Sequence, residues 1–243
     1  MLKRINKFIA ECGLASRRKA EEFINQGRVS VNEKIVNSLS YTINPDKDIV
    51  KVDGEIIRPK RNIYILLNKP KRVISSTNDE KNRKTVVDLI NTKEKIFPVG
   101  RLDYNTTGVL FLTNDGDFSN LLTHPKNKIV RIYQVKLNKG LEEKDRLKLL
   151  SGLLIDRKKG KFTNVRFPKK NDRKFVEVEC IEGRNHFVKK MFGALKYDIK
   201  SLNRHSFAGV VSDIPLGKYR ILNENEILEI VRSHSIKNHS RRN

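Results

Sequence analysis

The chain has no tryptophan, two cysteines, two methionines and a shortage of acids: 28 Asp and Glu stand against 51 Lys and Arg, a formal charge of +23 over 243 residues. Each shortage excludes something. Cys12 and Cys180 lie far apart, with no CxxC spacing and no histidine cluster nearby. That pattern excludes a disulfide framework and a structural zinc site, and fits a reducing compartment. No window approaches the ~18 uninterrupted apolar residues of a membrane span. The opening MLKRINKFIAECGLASRRKAEE breaks every apolar run with charge and carries acids, unlike a secretory signal or an acid-poor transit peptide. A cytoplasmic, monomeric protein without a membrane partner is expected. His124, His186, His205, His234 and His239 show neither HxxxH spacing nor cysteine partners. No metal is therefore expected, and the lack of a glycine-rich phosphate loop predicts no nucleotide cofactor, so no cofactor at all.

What the chain does have is charge. Charged residues reach 33%, and the excess is entirely basic. A polyanion is the natural partner of such a surface, and nucleic acid is the first candidate. Drift in base composition is the competing explanation, since Lys, Asn and Ile are all abundant. Basic residues are also unevenly spread: residues 157–174 hold nine Lys or Arg and the single acid Asp172. This stretch reads as an exposed basic loop or hairpin. Residues 233–243, with Lys237, Arg241 and Arg242 and no acid, read as a disordered basic tail.

Periodicity divides the rest. Ile5, Phe8, Ile9 and Cys12 fall on one helix face, and Gly13 ends the pattern. Ser16 looks like an N-cap for a second helix over residues 17–26, whose buried face is Ala20, Phe23 and Ile24. Two short strand pairs follow, around Asn32-Glu33 and around Asp53-Gly54, the latter a strong hairpin signal. Residues 1–60 thus predict a small helix-helix-hairpin domain with its linker. Residues 61–232 mix strands (64–67, 109–112, 129–137, 175–181, 199–202) with helices (85–90, 117–122, 142–150, 186–196). That order predicts an α+β domain with a mostly antiparallel mixed sheet.

Two surfaces offer chemistry. At the start of the second helix Arg17, Arg18 and Lys19 crowd together, and Arg28 follows its end. Three cations beside free N–H groups oppose the helix dipole unless an anion is bound, so a phosphate-binding corner is expected. Farther on, a polar loop carrying Asp103 runs into the apolar strand at 109–112. A carboxylate there is held rigidly with its head accessible, as nucleophilic or acid-base work requires, although a loop Asp is most often only a turn residue. Arg101, two residues earlier, is a candidate phosphate ligand.

The stretch ASRRKAEEFINQGRVSVNEKIV, residues 15–36, resembles the alpha-L RNA-binding domain shared by ribosomal protein S-four and several RNA-modifying enzymes. GRLDYNTTGVLFLTNDGD, residues 100–117, resembles the signature of RsuA/RluB-type ribosomal RNA pseudouridine synthases. LNKP at 67–70, RIYQV at 131–135, EGRNHFVKKMF at 182–192 and Leu-Asn-Arg at 202–204 recur in the family's order. His186-Phe187 departs from it, since relatives often place Gln or Glu at the second position.

The resemblance implies a pseudouridine synthase acting on ribosomal RNA or a precursor particle, with a lean toward the large-subunit, RluB-like branch. It assigns Asp103 the attack on the nucleotide or proton removal from its ribose, Tyr133 the stacking on uracil, and Arg184 the pairing with Asp103. It further implies that Leu202 packs the pocket wall. On the helix after Arg184, Val188, Met191, Phe192 and Leu195 share a buried face, leaving Lys189 and Lys190 outside for RNA phosphates. The alternative is a non-catalytic RNA-binding ribosome-assembly factor on the same fold. A purely electrostatic binder is the third reading.

Overall fold

The computed structural model describes residues 2–169 and 171–235. Those up to Ile63, with 92–95 and 114–116, form one compact unit, and those from Tyr64 onward form a second.

In the first unit β1 (Lys3–Arg4) leads into α1 (Ile5–Glu11) and α2 (Arg17–Asn25), followed by β2 (Val29–Val31), β3 (Lys34–Ile35), β4 (Thr42–Ile43), β5 (Val50–Val52) and β6 (Glu55–Ile56). Ser16 caps α2, its Oγ accepting from the N–H of Lys19 at 3.2 Å. Asn32 and Glu33, like Asp53 and Gly54, have positive φ at both turn positions. That is the turn geometry whose twist matches paired strands. The strands line up β3-β2-β5-β6. Ile5, Phe8, Ile9, Ala20 and Ile24 pack there with Val29, Val31, Val50 and Val52. β1 pairs with β4, a pairing of two-residue strands too short to leave a periodicity.

The second unit contains β7 (Tyr64–Lys69), β8 (Phe97–Pro98), β9 (Thr107–Thr113), α3 (Gly116–Thr123), β10 (Arg131–Leu137), α4 (Glu143–Ser151), β11 (Leu153–Ile155), β12 (Lys158–Gly160), β13 (Asn164–Arg166), β14 (Phe175–Cys180), α5 (Phe187–Gly193), β15 (Ile199–Phe207), β16 (Val210–Val211), β17 (Tyr219–Ile221) and α6 (Glu224–Ser235). Among the described residues the main sheet runs β13-β14-β10-β15-β9-β7-β17, with β16 on β15 and β8 on β9. Every pairing is antiparallel except β9 with β15. The fold is α+β with a mostly antiparallel mixed sheet. β9 lies in its interior and reads as a continuous apolar run, buried from Gly108 to Thr113. One core joins Val135, Val176 and Val178 to Val188, Met191 and Phe192 of α5. Another joins Leu66, Val109, Phe111 and Phe207 to Phe118 and Leu122 of α3.

Two expectations are corrected and one is met. The helix expected at 85–90 is a single 3-10 turn, Val87–Leu89, closed by the Asp88 carboxylate accepting from Thr85 N and Oγ1 at 2.8 and 2.9 Å. The basic stretch 157–174 takes the hairpin form of the loop-or-hairpin expectation: it supplies β12, hairpinned to β11, and the edge strand β13. Its few apolar residues, Phe162 and Val165, are buried and anchor it. The proposed tail begins too early, because residues 233–235 finish α6; residues 236–243 lie outside the described residues.

Candidate active site

Sheet register builds the floor of the site. Lys69 of β7 stands opposite Gly108 of β9, Gly108 opposite Arg204 of β15, and Arg204 opposite Tyr133 of β10. One transverse row thus crosses four strands. Between Ile132 and Tyr133 the pairing slips, so that Ile132 faces Ser206 while Tyr133 faces Arg204, leaving His205 as an extra residue. Bulges of this kind re-aim side chains near sites. Gly108, at φ +110°, is required in the row: a Cβ there would overlap the Arg204 backbone.

Above the row lies the loop that precedes β9. Lys69 is completely buried, and its ammonium donates to the carbonyls of Pro70 at 3.0 Å, Asp103 at 3.1 Å and Thr106 at 3.0 Å. Ser75 Oγ donates to Leu102 O and accepts from Leu102 N at 2.9 and 3.1 Å, while Arg72 N donates to Tyr104 O at 2.8 Å. Burial pulls the Lys69 ammonium down to about 8, with Asp103 opposing the shift and Arg204 reinforcing it. The backbone around Asp103 is therefore fixed from three sides, whatever the loop side chains are.

Asp103 opens into a cavity of about 150 Å³ whose wall also includes Thr106, Tyr133, Leu202 and Arg204. Its Oδ2 lies 2.5 Å from Lys189 Nζ, and its Oδ1 lies 3.3 Å from His186 Nε2. His186 precedes α5 in the left-handed region at φ +55°. Tyr133 is part-buried; burial raises its phenol above the ordinary range, against the pull of Arg204. Arg204 is 2% exposed and stacks on Phe207 at 4.4 Å, with Nε donating to Val109 O at 2.7 Å. Burial lowers its guanidinium, and Tyr133 offsets part of that. Arg131, also buried, faces the same Phe207 ring at 5.1 Å and donates to the carbonyl of Ile129 at 2.8 Å. A carboxylate so held, flanked by a cation and open to an aromatic-lined cavity, is equipped to act as nucleophile or base on a planar ring.

The sequence-derived residues separate here. Asp103, Tyr133, Leu202 and Arg101 line one cavity. Arg184 lines it too, but the pairing expected for it is corrected. Its Nε donates to Glu182 at 2.6 Å, Nη1 to Ile155 O at 3.0 Å and to Lys158 O at 3.4 Å, and Nη2 to Lys159 O at 3.4 Å. Arg184 thus ties the β11–β12 hairpin to the start of α5, and the cation on Asp103 is Lys189. Lys189 in turn does not stand free for phosphate as its helix face suggested. Lys190 pairs with Asp156 at 2.5 Å. In the first unit Arg28 is held by Asp53 at 2.7 and 2.6 Å and stacks on Phe23 at 4.2 Å, and Lys19 pairs with Glu22 at 2.5 Å. Arg17 and Arg18 are exposed. Lys69, Thr106, Lys189's pairing and Arg204 escaped the sequence reading, although all four sit inside quoted motifs, because a motif gives order along the chain and not register across a sheet.

Among the described residues, no group of three or more His, Cys, Asp or Glu is placed to hold a metal ion, and no helix is long and apolar enough to cross a membrane. Residues 63–194 match the family described as RNA pseudouridylate synthase, and residues 3–49 match the S4 domain. A Bacillus subtilis relative, ribosomal large subunit pseudouridine synthase B, is 40% identical, with 85% of this chain and 86% of that protein covered. The dual-specificity RNA pseudouridine synthase RluF of Escherichia coli is 33% identical over 93% of this chain and 78% of its own. A crystal structure of a pseudouridylate synthase, 32% identical, superposes with a TM-score of 0.67, covering 94% of this chain and 99% of that one.

Proposed function

The chain belongs to the RNA pseudouridylate synthase family, and from that premise we propose that it isomerises a specific uridine of ribosomal RNA, with the large subunit favoured. It is a pseudouridine synthase of the RsuA type carrying an S4 domain. The observation that carries the site assignment is the Asp103 carboxylate, opening on the cavity that Tyr133 also lines and held by Lys189 at 2.5 Å.

A uridine stacked in RNA is out of reach of a side chain, so the nucleotide swings out into the cavity, at a cost of a few kcal/mol. Tyr133 offers its ring face to the pyrimidine. Asp103 attacks the sugar or removes a ribose proton, and the bond from C1′ to N1 breaks. The base turns and rejoins through C5, the C5 proton leaves and N1 is protonated, so the product is an isomer and no cofactor is consumed. Phosphate contacts give affinity that falls with salt, and the first unit, through Arg17 and Arg18, adds to them. The reaction takes place in the cytoplasm on ribosomal RNA or a precursor particle.

The test is Asp103→Asn. RNA affinity stays near wild type while pseudouridine formation ceases. Mapping pseudouridines in ribosomal RNA from cells with and without the protein identifies the nucleotide, and an unchanged map overturns the assignment to ribosomal RNA.

A further inference from the structure

Buried polar groups without partners are rare in folded proteins, and each calls for a reason. Among the described residues four buried side-chain N or O atoms lack a hydrogen bond: Asn6 Oδ1, Thr106 Oγ1, Arg204 Nη2 and Glu94 Oε2, the last of which is instead ion-paired with Lys60 Nζ at 3.0 Å. Thr106 and Arg204 line the cavity holding Asp103. They also come from adjoining strands, since Thr106 immediately precedes β9, whose Thr107 and Gly108 pair with Asn203 and Arg204 of β15. Arg204 meets no carboxylate among the described residues; its Nε donates to Val109 O and the Tyr133 hydroxyl also meets the guanidinium, while Nη2 is left over. A buried guanidinium with an idle N–H edge and a buried hydroxyl with nothing to bind stand together at one place.

We infer that Arg204 and Thr106 form the receptacle for the pyrimidine while it is detached from the sugar. The inference rests on the proposed reaction. When C1′–N1 breaks, the electron pair leaves on the ring, and the negative charge spreads over N1 and the carbonyl oxygens. Asp103 accounts for C1′ meanwhile. Arg204 Nη2 donates to the carbonyl oxygen that carries the charge, and the Thr106 hydroxyl supplies a second hydrogen bond to the ring's polar edge. When C5 bonds to C1′ and the Asp103 carboxylate is free again, the ring charge disappears and the grip relaxes; the later loss of the C5 proton is matched by protonation of N1. Donors left unmatched in the free enzyme and matched only in the charged intermediate lower the barrier without tightening substrate binding.

The experiment compares wild type, Thr106→Val, Arg204→Lys and Arg204→Met in single-turnover pseudouridine formation, RNA affinity and thermal denaturation. Thr106→Val removes an unsatisfied hydroxyl, so the melting temperature holds or rises while the rate falls about 10-fold. Those opposite movements are incompatible with a purely structural threonine. Arg204→Met loses about 100-fold in rate or more, Arg204→Lys recovers part of it, and RNA affinity stays within about threefold for all. Active wild type with Thr106→Val and Arg204→Met both within about threefold in rate overturns the receptacle alone, as does a loss that appears wholly in RNA affinity. Wild type inactive on ribosomal RNA removes the proposed reaction and the receptacle with it.

Discussion

Lys189, in the first turn of α5, points its ammonium at Asp103, on the loop before β9, and the two meet at 2.5 Å. Two segments far apart in the chain are thereby locked at the point where the proposed chemistry occurs. With the His186 contact on the other oxygen, the carboxylate is held from two sides.

Lys189→Met removes that lock while keeping the length of the side chain. The expected result is a loss of about 100-fold in single-turnover rate, the scale set by misplacing a reacting group by about 1 Å. A rate within threefold of wild type, measured on the same RNA, would show that Asp103 is positioned without it.

Arg184→Ala acts elsewhere. Its guanidinium links Glu182 and the carbonyls of Ile155, Lys158 and Lys159, so its loss lowers stability by about 2 kcal/mol. Amide hydrogen exchange accelerates in residues 153–160, and denaturation gives the stability change.

Lys69 gives a pH signature. Its folded-state value near 8 lies below the 10.5 of the free side chain because burial disfavours the charged form. Between those two values the unfolded chain keeps a proton that the native protein has released, so native stability rises with pH across that window. Relative to Lys69→Met, wild type gains up to about 3 kcal/mol from pH 8 to 10.5, and below pH 8 the difference is flat. Denaturant titrations of both proteins at several pH values read this directly. A gap that does not widen would remove the depressed lysine.

Gly108→Ala forces a Cβ into the Arg204 backbone at a positive φ. The expected cost is about 3 kcal/mol or more, enough to threaten folding, and urea denaturation measures it.

Arg17→Ala with Arg18→Ala flattens the dependence of RNA affinity on salt by about 0.7 per lost phosphate contact, whereas Arg28→Ala, already held by Asp53, leaves the slope unchanged. Equal slopes for all variants would place the RNA surface elsewhere.

Much of this molecule is readable before folding. The Asn32-Glu33 and Asp53-Gly54 turns declare themselves because positive φ restricts the residues that fit. β9 is legible as an unbroken apolar run, and Asp103 through the motif around it. Lys189 is not. Helical spacing from Val188, Met191 and Phe192 put it on the outer face, but α5 begins only at Phe187, after the left-handed turn at His186, and its first turn faces the cavity. Arg204 is hidden for another reason: an arginine in a strand reads as exposed, and only the slip at Tyr133 and the side-chain-free Gly108 make room for it inside. Lys69 looks like a surface lysine because no local pattern announces that the carbonyls of Asp103 and Thr106, far along the chain, will gather on it beside that of Pro70.

That last arrangement has a consequence for how the protein can change. A clasp that grips main-chain oxygen is blind to the side chains it passes. Tyr104 and Asn105, both exposed on the loop, are free to be exchanged for other residues, and the loop can acquire new contacts with RNA while its acidic group stays where it is.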